Sequence, residues 1–298
     1  MSTALCPDLG MTAARRWPAA LHLHMAVRDG ATRLISNRHH GPLRVQRPFY
    51  PEGPEICHVY VLHPPGGLVS GDDLHLNVHA DAHSRTLITT PSAGKVYRVA
   101  STGEAQTQRT HLTLAPGAVV EWLPQDTIIY NGANGRLELT VDLAPGARFF
   151  GWEMLCLGRR AGNHPFDTGY LEQRLHISRA GEPCLIERMP ILANPTLREA
   201  CWGLAGHTVI ATALASVDHL DASTRQSLVE GLREHLRNDA LAGKGIDWLG
   251  ITCVRGLLIL RAMHNDAELV RHHLVRAWHW LRPRVLDREP ESPRIWAT

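Results

Sequence analysis

The sequence has 298 residues, and 31 lysines and arginines against 29 acidic residues leave a formal charge of +2 at neutral pH. A chain of this length can bury a sizeable core, as one large domain or two modest ones. The near balance of charge, without a basic run, argues against a dedicated nucleic-acid or membrane-surface protein. No apolar run is as long as a membrane span, and Arg15-Arg16 does not lead into the apolar core of a signal peptide, so a cytoplasmic protein is expected.

The residue pattern divides the chain into three parts. Residues 1–16 form an N-terminal extension that is expected to be flexible, and 17–298 are expected to form a single domain. Strands joined by turns are predicted over about 17–206, and a mixed part with helices over about 207–298. The fold class is therefore mainly β, with a small helical region towards the C-terminus.

Residues typical of turns are most frequent between Leu62 and Arg98. Gly66, Gly67 and Gly71 mark places where the backbone needs a positive φ or has no room for a side chain. The residues before and after Gly94-Lys95 do not complete a Walker phosphate loop, and the glycine spacing does not make a dinucleotide fingerprint. Nucleotide binding through these motifs is excluded.

Ser92 and Lys95 in the same stretch match the S-x-x-K pattern of serine acyl-enzymes, in which the lysine activates the serine hydroxyl. The partner motifs of those enzymes are absent from the sequence. Pro91 behind a strand also favours a turn over a nucleophile at a helix. A Ser92/Lys95 hydrolase is kept as the alternative function.

Histidines and cysteines raise the question of a metal site. The six cysteines lie far apart without a C-x-x-C pair, which favours free thiols in a reducing compartment. His75 and His79 would share one face of a strand and could hold a metal together. No acidic or cysteine ligand falls in the same register, so the exposed face of a strand is the favoured interpretation.

A short turn motif repeats along the β part. Leu114–Ala118 and Leu143–Ala147 have the same sequence, about thirty residues apart, and 78–82 and 177–181 are weaker copies. Units of this size that cannot bury both faces alone stack on their neighbours. An extended stack of short strands is predicted, although the sequence does not separate it from a sandwich.

Two helices are predicted in the C-terminal part, over 218–237 and 265–281. Ser223 is the expected N-cap of the first, Asn265 or Asp266 that of the second, and Pro283 is expected to end the second. The segment 251–260 between them is compatible with a buried strand pair.

Several motifs resemble one known family. The core of the resemblance is HPPGG, then GD, TTP and K-x-YR, carried by Pro64, Pro65, Gly66, Gly67, Gly71, Asp72, Thr90, Pro91, Lys95, Tyr97 and Arg98. It continues in Val45–Pro51, Glu121–Gln125, Gly151–Glu153, Cys156–Arg159 and Pro293–Thr298. Together these resemble the urease accessory protein D family, UreD, also called UreH. The match spans nearly the whole chain; Ser70 replaces a more usual glycine.

This resemblance implies an elongated, β-helix-like fold and a non-catalytic urease maturation factor. Such a factor binds urease apoprotein and the accessory proteins F and G, G being the GTPase, and assists delivery of Ni²⁺ to the urease active site. It implies no tightly bound cofactor, only Ni²⁺ in transit, and neither nucleic acid nor membrane as a partner. The expected contacts with the F protein are Trp278, Arg282, Arg294, Ile295 and Trp296.

Carboxylates inside apolar runs suggest how Ni²⁺ could move. Glu121, Glu153 and Glu187 each interrupt such a run, and Asp126 and Asp142 lie close to them in sequence. Buried carboxylates need partners or shift their pKa. Internal salt bridges with Arg148, Arg159 or Arg188 are one explanation. The other is that stacked units align these oxygens along a hydrated passage, with ligands weak enough for transfer.

Overall fold

The structure is a computed structural model that describes residues 16–100, 103–159, 162–238 and 248–297. The extension predicted for 1–16 lies outside the described residues except for Arg16, which is exposed.

Two sheets contain the described strands. The first has seven strands, in the spatial order β15 (Glu182–Leu192), β14 (Gly169–Arg179), β11 (Ala133–Leu143), β8 (Gln106–Leu114), β5 (Asp72–Ala80), β1 (Trp17–Arg28) and β2 (Ala31–His40). The second follows the order β17 (Trp248–Val254), β18 (Leu257–His264), β16 (Val209–Ser216), β12 (Arg148–Arg159), β9 (Val119–Leu123), β6 (Arg85–Thr89), β4 (Ile56–Leu62) and β3 (Arg44–Val45), with β7 (Gly94–Val96), β10 (Thr127–Ile129) and β13 (His164–Pro165) beside this path.

The middle of the chain winds between the two sheets. From β4 to β14 the main strands fall alternately in the second and the first sheet, and neighbours within each sheet run parallel. Antiparallel strands such as β2, β15 and β16 flank this parallel part. The predicted mainly β, β-helix-like stack is confirmed.

The repeated turn motif stacks as predicted. In both full copies a glycine, Gly117 or Gly146, takes a positive φ in the turn. The turns bond to one another in series: the amide of Ala180 donates to Leu143 O, that of Ala144 to Leu114 O, and that of Ala115 to Ala80 O, at 2.8 to 2.9 Å. Each unit therefore satisfies the open backbone groups of its neighbour.

The core has two layers. One lies between the sheets, where inward residues such as Leu76, Leu112 and Val141 alternate with outward polar ones. The other lies between the outer face of the second sheet and the helices. The strands β9 and β16 are consequently buried along their whole length. In the first sheet, the outward residues of the central strands β5, β8 and β11 are polar.

The helices follow the prediction with two corrections. They are α1 (Pro195–Glu199), α2 (Ala222–Arg237) and α3 (Ala267–Val285), with a 3₁₀ helix at Arg294–Ala297. Asp221, not Ser223, caps α2, because its carboxylate accepts from the Thr224 amide at 2.8 Å. Asp266 caps α3, as predicted.

Pro283 does not end α3. The helix passes through it to Val285, and the Leu286 amide still bonds to Arg282 O at 2.9 Å. A proline removes one backbone donor, and buried contacts of Arg282 hold the last turn in place. The segment 251–260 is a strand pair, as predicted, made by β17 and β18. None of the described helices combines the length and apolar character that a membrane crossing needs.

Candidate functional site

Three chain segments that follow neighbouring strands lie side by side and enclose a cleft. They follow β4, β6 and β9, which are adjacent and parallel in the second sheet. The cleft between the two sheets has a volume of about 370 Å³. Its mouth is formed by residues 63–64, 66–68 and 90–95, with Pro124 and Gln125 from the third connection. The HPPGG, TTP and WLPQ stretches, distant in sequence, thus meet at one site.

Two glycines shape the mouth for different reasons. Gly66 has φ +81°, and its amide closes a turn on His63 O at 2.8 Å. Gly67 has no positive φ, but an added Cβ would lie 2.5 Å from Tyr97 Cε2 and 2.8 Å from Lys95 Cβ. The close approach allows the next residue, Leu68, to bond its amide to Lys95 O at 2.7 Å. Both reasons were anticipated from the sequence.

Other motif residues tie the connections together. Thr90 Oγ1 accepts the Gln125 amide at 2.9 Å, and Gly71 has φ +81°. The Asp72 carboxylate accepts the Val69 amide at 2.8 Å. The remaining motif residues Pro64, Pro65 and Pro91 lie in the connections, the Tyr97 ring packs on Tyr130, and Arg98 packs over Gly132.

Ser92 and Lys95 do not form a reactive pair in this arrangement. Lys95 Nζ is directed at the Ala93 carbonyl, 3.5 Å away, and Ser92 is exposed. Within the described ranges, no hydrogen bond joins the Ser92 hydroxyl to the lysine. The S-x-x-K pattern lies in a turn, and none of the described residues contacts the serine hydroxyl as a general base.

Glu153 lies at the base of the cleft. It projects from β12 into the space between the sheets and accepts a hydrogen bond from Trp122 Nε1 at 2.7 Å. Its small exposed surface faces the cleft. Within the described part of the chain, no arginine or lysine forms an ion pair with it. Burial raises the pKa of Glu153 to about 7, against the lowering effect of the Trp122 hydrogen bond.

The cleft continues inward as a narrow space. A second space of about 10 Å³ shares Gln108, Thr110 and Glu153 with the cleft and reaches Glu138, Gln173 and Arg174. This volume is close to that of one water molecule. Polar side chains therefore extend from the cleft into the interior, past the Glu153 carboxylate.

Glu121 lies on the opposite face of the same sheet, under α3. Arg282 Nη2 donates to its carboxylate at 2.9 Å, and Trp278 Nε1 donates at 2.6 Å. The same guanidinium bonds to Glu52 at 2.7 Å through Nη1, and Glu52 is held by His58 at 2.7 Å. Burial alone would lower the pKa of Arg282, but the two carboxylates outweigh it and raise this pKa.

The other predicted metal-binding carboxylates lie elsewhere. Asp126 accepts from the Cys156 thiol at 3.4 Å beyond the end of β9. Asp142 is on the outer face of the first sheet, where Ser178 and His111 contact it at 2.6 Å. Burial acts to raise the pKa of Asp142, but the contacts with Ser178 and His111 together lower it. Glu187 on β15 pairs with Arg261.

The expected alignment of Glu121, Glu153 and Glu187 along one passage is wrong. The first two point to opposite faces of the second sheet, and the third belongs to the first sheet. The salt bridges expected as the alternative do exist for Glu121 and Glu187, but with different partners. These are Arg282 and Arg261.

The residues expected to contact a partner protein divide into two sets. Trp278 and Arg282 are fully buried within this chain, so the expectation that they form an interface is wrong. The reason is their shared contact with Glu121. Trp296 is half-buried against Trp152 and Trp278, and its Nε1 donates to Thr89 Oγ1 at 2.9 Å. In the same 3₁₀ helix Ile295 is half-buried and Arg294 is exposed.

Some site residues were missed in the sequence. Glu52 and His58 complete the Arg282 network, and nothing in their local pattern indicates it. Trp122 was part of a quoted motif, and its position next to Glu121 gave no sign that it bonds to Glu153. His79 was expected to lack an acidic neighbour, yet Asp81 in the following turn lies 3.2 Å away. The turn brings the carboxylate back over the strand.

Comparison with known proteins gives a consistent result. A family model described as "UreD urease accessory protein" matches residues 18–297. A urease accessory protein UreD of Chromohalobacter salexigens is 42% identical over 292 residues, which cover 95% of this chain and 90% of that protein. Those of Marinobacter nauticus and Pseudomonas entomophila are both 44% identical and cover 95% of this chain, with 94% and 95% of the respective relative.

Proposed function

This chain belongs to the UreD family of urease accessory proteins, and we propose that it is a scaffold that brings Ni²⁺ to urease. Its role lies in urease maturation and it is not a catalytic enzyme, as the family and its named relatives establish. The proposal extends this role to specific partners: urease apoprotein, the accessory protein F and the GTPase G, in the cytoplasm. Unpaired thiols at the five described cysteines are typical of a reducing compartment.

The observation that carries the proposal is the cleft with Glu153 at its base. Three motif stretches build its mouth, and among the described residues that line it Glu153 is the one carboxylate, with no ion pair to a described arginine or lysine. An isolated carboxylate in a low-dielectric interior is costly unless it is protonated or meets a cation. A divalent metal supplies that cation, and an oxygen ligand binds Ni²⁺ loosely enough for release.

We propose that Ni²⁺ in transit enters between residues 63–68 and 90–95 and contacts Glu153. The Gln108 and Thr110 side chains then offer oxygen atoms on the inner side. Glu121 is outside this path because Arg282 already neutralises it. Asp126, Asp142 and Glu187 also lie away from the cleft lining. Of the five carboxylates expected to bind nickel, the proposed passage therefore uses Glu153 alone.

The test compares Glu153→Gln with Glu187→Gln. Both remove one charge from a strand, but the second affects a surface ion pair with Arg261. Each variant is combined with urease apoprotein and proteins F and G, and both assembly and nickel per urease are measured on the same preparations. We expect normal assembly for both, a several-fold loss of nickel for Glu153→Gln only, and partial recovery at excess Ni²⁺. Normal nickel loading in a well-assembled Glu153→Gln complex contradicts the passage.

For the F protein we propose a contact at the C-terminal 3₁₀ helix. Arg294 is exposed and Ile295 and Trp296 keep part of their surface accessible, a combination enriched in interface cores. Arg294→Ala should weaken capture of the F protein without loss of folding. Arg284→Ala is the matched control, an exposed arginine on α3 that stacks on Trp280. Equal capture by the two variants places the contact elsewhere.

A further inference from the structure

We propose that His24, His79 and Asp81 form a binding site for a divalent transition-metal ion on the outer face of the first sheet. Their three ligand atoms all lie within 4.8 Å of one another. His24 Nε2 is 2.8 Å and His79 Nε2 3.2 Å from Asp81 Oδ1. These separations match those between neighbouring ligands of a metal bound at about 2.0–2.2 Å.

The backbone fixes all three residues. His24 on β1 and His79 on β5 are direct partners in the parallel register of the two strands. Asp81 is the first residue after β5, and its amide donates to Met25 O at 2.8 Å. Its own carbonyl accepts from the Ser84 amide and hydroxyl, at 3.1 and 2.7 Å. The carboxylate is therefore held over the two imidazoles by the turn.

The strand β1 keeps a continuous parallel register with β5 through His24 and Met25. The register shift in its pairing with β2 leaves Ile35 of β2 as the extra residue. His24 therefore stays on the outer face, beside His79.

Two imidazoles and one carboxylate suit ions such as Ni²⁺ and Zn²⁺. Coordination through both Nε2 atoms requires the proton of each neutral ring to lie on Nδ1. The side chains are 37%, 51% and 35% exposed, which leaves coordination positions for water or for a ligand from another molecule. Such an open site exchanges its ion readily. It therefore suits collection of metal at the surface.

Other histidines on this face lack the same arrangement. His111 contacts Asp142 at 2.6 Å, with Ser178 on the other oxygen. His75 lies 3.2 Å from Asp73, but the Arg109 guanidinium is also 3.2 Å from its Nε2. A cation there opposes metal binding. Within the described ranges, His24, His79 and Asp81 are the one group of three with ligand spacing.

The test uses the purified full-length chain titrated with NiCl₂ or ZnCl₂ by calorimetry. His79→Ala should remove one binding event or weaken it at least about tenfold, since one of three ligands is lost. His111→Ala is the matched control on the same face and should retain the event. Nickel K-edge absorption should show two imidazole ligands in the native protein and fewer in His79→Ala. Unchanged binding by His79→Ala, or an equal loss in His111→Ala, overturns the site.

This site is independent of the cleft. Glu153→Gln should leave the binding event at His24, His79 and Asp81 intact, so the failure of either proposal can be told from the failure of the other. Circular dichroism of each variant checks folding. An unfolded His79→Ala is replaced by His79→Gln, which keeps a polar side chain of similar length without an imidazole, and the same loss of the event is required of it.

Discussion

Glu121 is a buried carboxylate and Glu153 a partly buried one on adjacent strands of one sheet, and the groups around them differ. On the helix-covered face, Glu121 receives hydrogen bonds from Arg282 and Trp278, and the same arginine joins Glu52. On the inner face, Glu153 receives one hydrogen bond from Trp122 and borders a cleft. Glu121 is neutralised by Arg282, whereas none of the described arginines or lysines pairs with Glu153.

The two carboxylates therefore differ in their affinity for an added cation. A carboxylate that is fully paired within the protein has no charge left to bind an added cation. Replacing one member of the pair leaves the other as an unpaired buried charge, which destabilises the folded protein. A carboxylate in a cleft with one neutral donor retains that affinity.

Removal of Arg282 should have the largest effect. Arg282→Met keeps the apolar length of the side chain but removes the guanidinium that Glu121 and Glu52 share, at a cost of roughly 3–5 kcal/mol in the free energy of unfolding. Urea denaturation measures the change. Arg284→Met, two residues further on the exposed side of α3, is the control and should cost less than about 1 kcal/mol. An equal loss in the free energy of unfolding in the two variants would contradict a structural role specific to Arg282.

Glu153 should make stability depend on pH. Its pKa is raised from 4.5 to about 7, so the native state keeps a proton that the unfolded chain releases. Stability conferred on the native state by this raised pKa is therefore greatest below pH 4.5 and declines as the pH rises to about 7, by up to about 3 kcal/mol. Glu153→Gln should lack this decline. Urea denaturation at pH 5 and pH 8 measures it, and parallel pH dependence in both proteins contradicts the assignment.

Gly67→Ala should disturb the mouth of the cleft. The new methyl group would overlap Tyr97 and Lys95, and overpacking of this kind costs about 1–3 kcal/mol. The methyl group of Gly66→Ala would meet none of the described residues within 4 Å, so this variant carries the cost of its positive φ alone, about 1–2 kcal/mol. Thermal unfolding ranks the two. A Gly67→Ala protein as stable as the native one would mean that Tyr97 moves aside freely.

Glu187→Gln should have the smallest effect. Its partner Arg261 is about half exposed, and surface ion pairs contribute between about 0 and 1 kcal/mol because water screens them. The residual effect should shrink further in high salt. A loss comparable to that of Arg282→Met would place Glu187 in a buried network.

Local features of the fold were accessible from the sequence because their causes are local. Gly66 was identified as a turn glycine, and its φ is positive. The repeated Leu114–Ala118 and Leu143–Ala147 turns stack as equivalent positions. Asp266 caps its helix. Prediction failed where two local signals competed, as at Ser223, where Asp221 two residues earlier offers the stronger acceptor.

The sequence by itself determined the alternation of strand and turn, the resemblance to the family and the presence of carboxylates in apolar runs. Only the tertiary structure decided which face each carboxylate takes. In β9 both faces are buried, so the alternation that marks inside from outside disappears. The partner of Glu121 lies 161 residues away, in a helix whose own pattern gives Arg282 no special role. Ion pairs and metal ligands depend on distance in space, and that distance is set by packing of the whole chain.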